Sequence, residues 1–544
     1  MELTLTMSMA MAVMVTVVAI LVLGSLVRPR RSQRKTLNLP PGPRGWPLFG
    51  SLSLLVDTLP PHRVLAEIAA RYGPLMHLRL GSFHVVVASS EETARLVLKT
   101  HHLAFADRPP TAFGKILAYD YKGIVQTPYG PYWHGMVNPA YWRMARKLCA
   151  TELFSARRID AFERARAQEM RALTRGLFER AGAAVQVKEH LLSFTMRNIL
   201  RMALGEKWSS GSRGSHDGGG GEAFRRSLKE SFMVTGLLGN VGEWVPWLGW
   251  HDVQGFVWRM RRVHVMFDQF NEQILNEHQN GRRRAGAGME MDLVDVLLQL
   301  AEDREQAAER PPEARLTRDG VKAFLLDIIG GGTETAAATL EWAVLELLRH
   351  PAAMEAATGD ELDRVVGRGR WFAERDLPDL PYIEAVVKET MRLHPVGPLL
   401  IPHNAREDTV VGGYDVPAGT RVLVNMCAVG CDPASWPDAP DAFRPERFLA
   451  GGSAEGVDVH GTHFQLLPFG SGRRMCPAHN LVMKEVVAAL ANLVHGFSWR
   501  LPDGVAPEDM SMEEFFGLNV SRKEPLVAIA EPRLPAHLYE SVDD

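Results

Sequence analysis

The amino-acid sequence predicts a mainly α-helical protein with a small β-rich lobe, on three observations. Helical patterns dominate the middle and end of the chain, notably from Val321 past Trp342 and from Leu481 to Val494. Two Val-rich runs punctuated by Gly and Pro, Gly81 to Ser90 and Asp408 to Val424, have the composition of short strands and hairpins. No repeat period and no internal linker divides the body of the chain, so most of its 544 residues read as one large domain.

That domain is preceded by an appendage. The run from Met7 to Val27 carries no charge and is long enough to cross the roughly 30 Å hydrocarbon core as a helix. Arg28, Arg30, Arg31, Arg34 and Lys35 follow at once, and by the positive-inside rule they stay cytoplasmic. The expected organisation is a lumenal N-terminus over residues 1–6, a transmembrane anchor over 7–27, a basic and proline-rich hinge over 28–50, and a cytosolic domain over 51–544. A cleaved signal peptide fits less well, because its positive charge precedes a shorter apolar run. Leu39-Pro40-Pro41-Gly42-Pro43 reads as a stiff spacer, since prolines fix φ and remove backbone donors.

Composition narrows the chemistry. Hydrophobic residues at 46% and charged residues at 23% exclude a disordered chain and a many-span membrane protein. A net charge of −3 gives no reason to expect a nucleic-acid partner. The four cysteines, Cys149, Cys427, Cys431 and Cys476, are too dispersed for a disulfide scaffold or a zinc site and suit a reducing compartment. The Cys427/Cys431 spacing lacks a second pair and reads as two ordinary thiols. Ser209 to Gly221 is too small and polar to pack and is expected to form a surface loop between helices.

Cys476 ends the Gly-rich stretch that starts at Phe469 and immediately precedes a helix. Backbone N–H groups and a helix N-terminus favour an anionic sulfur there and should lower its pKa. Gly472 allows a tight bend against a flat cofactor, and Arg474 offers a cation to a carboxylate. Farther upstream, Gly330 to Gly332 lie inside a helical pattern, where each glycine costs about 1 kcal/mol; close backbone approach or opened hydrogen bonds would justify that. Glu389 and Arg392 stand three apart, on one helix face.

Together these residues resemble the cytochrome P450 family. Its haem loop, FxxGxRxCxG, is matched at Phe469, Gly472, Arg474 and Cys476, with Ala478 in place of the final Gly. The resemblance implies the mainly helical P450 fold, haem b with Cys476 as axial thiolate to the iron, and a thiolate push that favours O–O cleavage. Thr335, in Gly331-Gly332-Thr333-Glu334-Thr335, resembles the residue that hydrogen-bonds dioxygen, and Glu334 the acid that helps relay protons. Glu389, Arg392 and Arg447 resemble the family's structural Glu-Arg-Arg triad. Trp142 and Arg146 match its WxxxR, which with His403 contacts the haem propionates. By itself each motif also permits a plainer reading: a packed glycine-rich helix, a common ion pair, a surface cation.

One stretch departs from the pattern of plant members. Tyr129-Gly-Pro-Tyr-Trp133 is followed by nine further residues, His134 to Trp142, before Arg143. Pro139 would break a helix interior, so the helix start is expected to be displaced, with Trp142 restoring the register. The added residues are either a loop or a gene-model artefact such as a retained intron.

The resemblance runs from the anchor to Leu534-Pro535 and is to the plant microsomal group. It implies the endoplasmic reticulum membrane, a lipid bilayer contact, and electrons from NADPH through a separate NADPH–cytochrome P450 reductase, received on a basic surface containing Arg473. Expected pocket residues are Phe113, Ile116, Leu117, Phe324, Ile328, Val396 to Ile401 with Leu400, and Phe515 to Leu518 with Phe516. This lining is largely apolar and implies a hydrophobic substrate. The C-terminal stretch Glu513 to Leu518 is similar to enzymes that cleave tertiary terpene alcohols such as nerolidol or geranyllinalool to homoterpenes. Flavonoid or other phenolic hydroxylation is the alternative, and a non-catalytic haem-binding membrane protein the alternative of another class.

Overall fold

The computed structural model describes residues 37–55, 59–129, 139–205, 220–236, 240–249, 252–285, 291–303 and 315–540. The apolar run Met7 to Val27 and the basic block after it lie outside these residues. Among the described residues no helix is long and apolar enough to cross a membrane. The chain divides into Met1–Leu39 and Pro40–Asp544, and all described secondary structure belongs to the second unit. Residues 40–50, expected as part of the hinge, are joined to the folded body. The His77 N–H donates to the Pro41 carbonyl at 2.9 Å, and the Gly81 N–H to the Phe49 carbonyl at 2.9 Å.

In chain order the elements that build the body begin with α1 (Pro61–Tyr72), β1 (Leu75–Leu80), β2 (Phe83–Ala88), α2 (Ala112–Ile116), α3 (Pro139–Leu148), α4 (Glu163–Phe178), β3 (Ala184–Gln186) and α5 (Val187–Leu204). Next come α6 (Gly220–Val234), α7 (Phe256–Ala285), α8 (Leu293–Glu302) and α9 (Arg318–Arg349). The remainder is α10 (Pro381–Leu393), β4 (His403–Asn404), β5 (Thr409–Val411), β6 (Tyr414–Val416), β7 (Arg421–Val424), α11 (His479–Gly496), β8 (Phe497–Arg500), β9 (Glu514–Phe516), β10 (Val520–Arg522) and β11 (Val527–Pro532). Helices with minor sheets are thus observed, as the patterns predict.

The longest helix, α9, is the axle of the fold. It is capped by Thr317, whose hydroxyl accepts from the Gly320 N–H at 3.2 Å. Most of its side chains are buried on every face, as expected of a helix that is apolar all round. Its C-terminal half packs in one hydrophobic core with α4, α10 and α11, around Trp342, Val386 and Leu490. Its N-terminal half packs in a second with α5, α6, α7 and α8, around Phe324, Phe267 and Leu297.

The β-rich lobe is a four-stranded sheet of order β1-β2-β7-β4. β1 and β2 form an antiparallel hairpin with Leu80 opposite Phe83. β2 runs parallel to β7, with Val86 opposite Val422, and β4 is antiparallel to β7, with His403 opposite Val422. This pairing carries His403 and Arg421 to the edge of the helical layer. β9 and β10 pair as a separate antiparallel hairpin.

Two local expectations meet the structure here. Of the Gly-rich stretch Ser209 to Gly221, residues 209–219 lie outside the described residues, but Gly220 and Gly221 belong to α6, so the end of the stretch is helical. Of the segment His134 to Trp142, residues 134–138 lie outside. Among the described residues α3 begins at Pro139, and both Trp142 and Arg146 lie on it.

Candidate active site

Cys476 sits on the loop that leads into α11. Its N–H donates to the Phe469 carbonyl at 2.9 Å, and the Ser471 hydroxyl donates to the Gly461 carbonyl at 2.6 Å, which closes the loop on itself. Gly472 has φ +67°, and a Cβ there would lie 2.5 Å from the Leu98 carbonyl oxygen. Only glycine satisfies both constraints. Ala478, by contrast, has φ −97°, an ordinary value for an L-residue, so the departure from the family's glycine brings no backbone strain.

Burial pushes the Cys476 thiol above its usual pKa. The Ala478 N–H and the Arg146 charge oppose this but are smaller effects. The lowering expected from the helix N-terminus is therefore overturned by desolvation. A metal cation at the sulfur is what would make it anionic.

Facing the loop across a cavity is the middle of α9. Gly330 to Gly332 and Thr335 line that cavity, and the Thr335 hydroxyl donates to the Gly331 carbonyl at 2.7 Å. The glycines have separate reasons. A Cβ on Gly332 would come to 2.9 Å of Ile199 Cδ1 on α5, whereas one on Gly331 would meet nothing within 4 Å. Glu334 is not among the lining residues. Burial raises its carboxyl pKa, and the cations that act on it are Lys188 and Lys229.

A group of cations borders the same cavity. Arg474 donates through Nε to the Ala106 carbonyl at 2.7 Å and through Nη2 to the Thr127 carbonyl at 2.6 Å, while its buried Nη1 has no partner among the described residues. Trp142 Nε1 is likewise buried without a partner. Arg146 donates to the Met475 carbonyl at 2.8 Å. His403 is buried with Nδ1 2.7 Å from the Phe105 carbonyl oxygen, and burial, with Arg108 nearby, lowers its pKa to about 3. Arg108 donates to the Ile401 and Pro402 carbonyls at 2.6 and 2.8 Å. Its pKa falls to about 9 through burial. Asp107 is the carboxylate that acts on Arg108 and Arg474, and the orphaned N–H donors of Arg474 and Trp142 beside it still call for an acceptor.

On another face, Glu389, Arg392 and Arg447 come together as expected. Arg392 is bidentate to Glu389 at 2.7 Å through both Nε and Nη2, and Arg447 Nε reaches the same carboxylate at 3.0 Å. Glu389 also accepts from the Arg444 N–H at 2.8 Å. The guanidinium groups have their remaining donors on the Gly430, Asp438 and Ala442 carbonyls, so this buried charge network is well satisfied.

The cavity has a volume of about 420 Å³. Among the expected pocket residues Phe113, Leu117, Ile328, Val396 to Ile401, and Phe516 to Leu518 line it. Three do not. Phe324 points into the second core and is fully buried there, Ile116 packs against that core, and Phe515 is exposed on the outer face of β9. The structure adds Leu228 and Phe232 of α6, and polar groups that the sequence did not single out: Arg108, Asp327, Glu243, Arg421 and Asn519. Asp327 accepts from the Val125 N–H at 3.0 Å and from that of Ile124, and burial lifts its pKa to about 6. Glu243 accepts from the Ala112 N–H at 2.7 Å. Two carboxyls thus hold the 112–125 segment over the cavity. Cys427 lies elsewhere, buried, with its thiol pushed up to about 12.

A planar iron macrocycle bearing carboxylates fits this donor set. One face would meet the Cys476 sulfur, and the carboxylates would find the orphaned N–H groups of Trp142 and Arg474. Comparison with known proteins agrees. Residues 40–527 match the family model described as Cytochrome P450. The chain is 68% identical to a trimethyltridecatetraene synthase of Zea mays, over 94% of this chain and 92% of that protein. It is 65% identical to a dimethylnonatriene synthase of Zea mays, over 96% and 97%, and 40% identical to a flavonoid 3'-monooxygenase of Petunia hybrida, over 93% and 94%. Among solved structures, a zebra fish cytochrome P450 with progesterone superposes with a TM-score of 0.71 at 27% identity, covering 87% of this chain and 100% of that one.

Proposed function

The chain belongs to the cytochrome P450 family, and from that premise we propose that it cleaves a tertiary terpene alcohol, nerolidol or geranyllinalool, to a homoterpene. The observation that carries this reading is the identity of 68% and 65% to two homoterpene synthases, against 40% to a flavonoid hydroxylase. Dioxygen is reduced to two waters by two electrons from NADPH and two from the substrate. The substrate loses its hydroxyl hydrogen and one hydrogen from the second methylene along the chain as the bond between the carbinol carbon and its methylene neighbour breaks. A homoterpene and a small enone are left.

Bound haem supplies the activation of dioxygen with electrons from NADPH delivered by a reductase. The remaining work falls to this chain's own residues. Cys476 would hold the iron; Trp142, Arg146, Arg474 and His403, joined by Arg108, would hold the carboxylates. The Thr335 hydroxyl lines the cavity on α9 and would turn from the Gly331 carbonyl to offer its proton there. Glu334, the adjacent residue, whose carboxyl pKa is raised by burial, would resupply that proton. Phe113, Leu117, Ile328, Leu400 and Phe516 exclude water and favour an apolar chain.

We assign the reductase contact to the groove bordered by Lys99, His102 and Arg473, beside the Cys476 loop. The Met7 to Val27 run is proposed as an anchor in the endoplasmic reticulum membrane, with the body cytosolic. The deciding experiment is expression with a reductase in microsomes fed nerolidol, geranyllinalool and a flavanone. Volatile homoterpene from either alcohol supports the reading; hydroxylated flavanone alone replaces it with phenolic hydroxylation.

A further inference from the structure

We propose that Asn519 is a specificity-determining residue that hydrogen-bonds the substrate's hydroxyl oxygen, an inference that rests on the terpene-alcohol reading above. Asn519 lies in the turn between β9 and β10 and faces the cavity. It is only 9% exposed, and its Nδ2 is buried with no partner among the described residues.

The turn itself is held from both sides. The Leu518 N–H donates to the Phe232 carbonyl of α6 at 3.0 Å, and the Val520 N–H to the Val396 carbonyl at 2.8 Å. Within the turn, the Gly517 N–H donates to the Asn519 carbonyl at 3.0 Å. The amide therefore cannot swing out to solvent without breaking the turn.

Several other polar groups on the cavity wall are already engaged, and the unpaired donors of Trp142 and Arg474 are taken above for the haem carboxylates. The Ser231 hydroxyl donates to the Leu228 carbonyl and the Thr235 hydroxyl to the Ser231 carbonyl, each at 2.6 Å. Asn240 Oδ1 accepts from the Gly242 N–H at 3.0 Å. Asp327 and Glu243 each accept from backbone N–H groups of the 112–125 segment. Asn519 is thus left with a donor that an all-carbon ligand cannot satisfy and an alcohol oxygen can. A site with such a donor discriminates against the analogue that lacks the oxygen.

The test is a titration of the haem-loaded protein with nerolidol and with the hydrocarbon of the same skeleton lacking the hydroxyl, read from the Soret shift. Wild type should bind the alcohol more tightly. Asn519→Leu, close in shape but without the donor, should weaken the alcohol by about tenfold and leave the hydrocarbon within about twofold. Asn519→Asp, which keeps the outline and replaces the donor, should lose the same preference and stands in if the leucine variant fails to load haem. Equal affinity of wild type for the two ligands, or a variant that weakens both alike, overturns the role of Asn519 and leaves the homoterpene reading intact. Wild type that takes neither contradicts both.

Discussion

The guanidinium of Arg474 lies 5.5 Å above the ring of Trp142, and each side chain carries a buried N–H without a partner among the described residues, Nη1 in one and Nε1 in the other. Stacking fixes both donors on one side of the cavity, where they are ready for the same anion. Trp142→Phe keeps the ring and removes one donor. A hydrogen bond to a charged group is worth about 1.5–3 kcal/mol, so haem should leave the variant at least about tenfold faster. Transfer of haem to an apo-globin acceptor measures this directly; an unchanged rate means Trp142 holds no carboxylate.

Glycine and alanine exchange roles along the Cys476 loop. Gly472→Ala sets a Cβ 2.5 Å from the Leu98 carbonyl at a φ of +67°, and the variant should express with little haem. Ala478→Gly should change stability by no more than about 1 kcal/mol, because φ is −97° there already. Haem-to-protein ratios of the two variants separate these expectations.

Glu389 holds two arginines at once in a fully buried setting. Glu389→Ala leaves both charges uncompensated and should destabilise the holoprotein by about 3–5 kcal/mol. Thermal unfolding followed by circular dichroism would detect it, and a melt close to that of wild type would remove the triad from the account of stability.

Asp327 provides a pH signature. Its folded pKa is raised from 3.8 to about 6 by burial, so the folded state binds its proton more tightly than the unfolded state does. The favourable contribution of the protonated form is present below the unfolded value and is lost as pH rises through the folded one. Asp327→Asn, still able to accept from Ile124 and Val125, lacks this loss. Its stability relative to wild type should grow between those two pH values by at most about 1.4 kcal/mol per pH unit, then level off. Urea denaturation across that range tests it, and a constant difference would mean the carboxyl titrates normally.

Much of this architecture is readable in the chain because glycine, cysteine and charge carry local signals. Gly472, Cys476, the Thr335 helix and the Glu389–Arg392 spacing each announce a constraint that the fold then uses. The pocket is less legible. A helix that is apolar on all sides, such as α9, does not tell which face meets a cavity, and so Phe324 in the core and Ile328 on the wall look alike in sequence. Arg108 and Asn519 sit in turn-like contexts where polar residues are commonplace, and only the convergence of distant segments reveals them. The Cys476 pKa depends on burial, which the loop's composition could not weigh against its N–H groups.

The central claim is that the Cys476 sulfur binds haem iron and that this linkage supports turnover. The most direct measurement is the reduced, carbon monoxide-bound absorption spectrum of wild type and Cys476→Ser, with reductase-dependent homoterpene formation assayed on the same preparations. Wild type should show the red-shifted Soret band of thiolate ligation and form product; the serine variant should show neither. A serine variant with the same band and the same turnover would contradict the assignment.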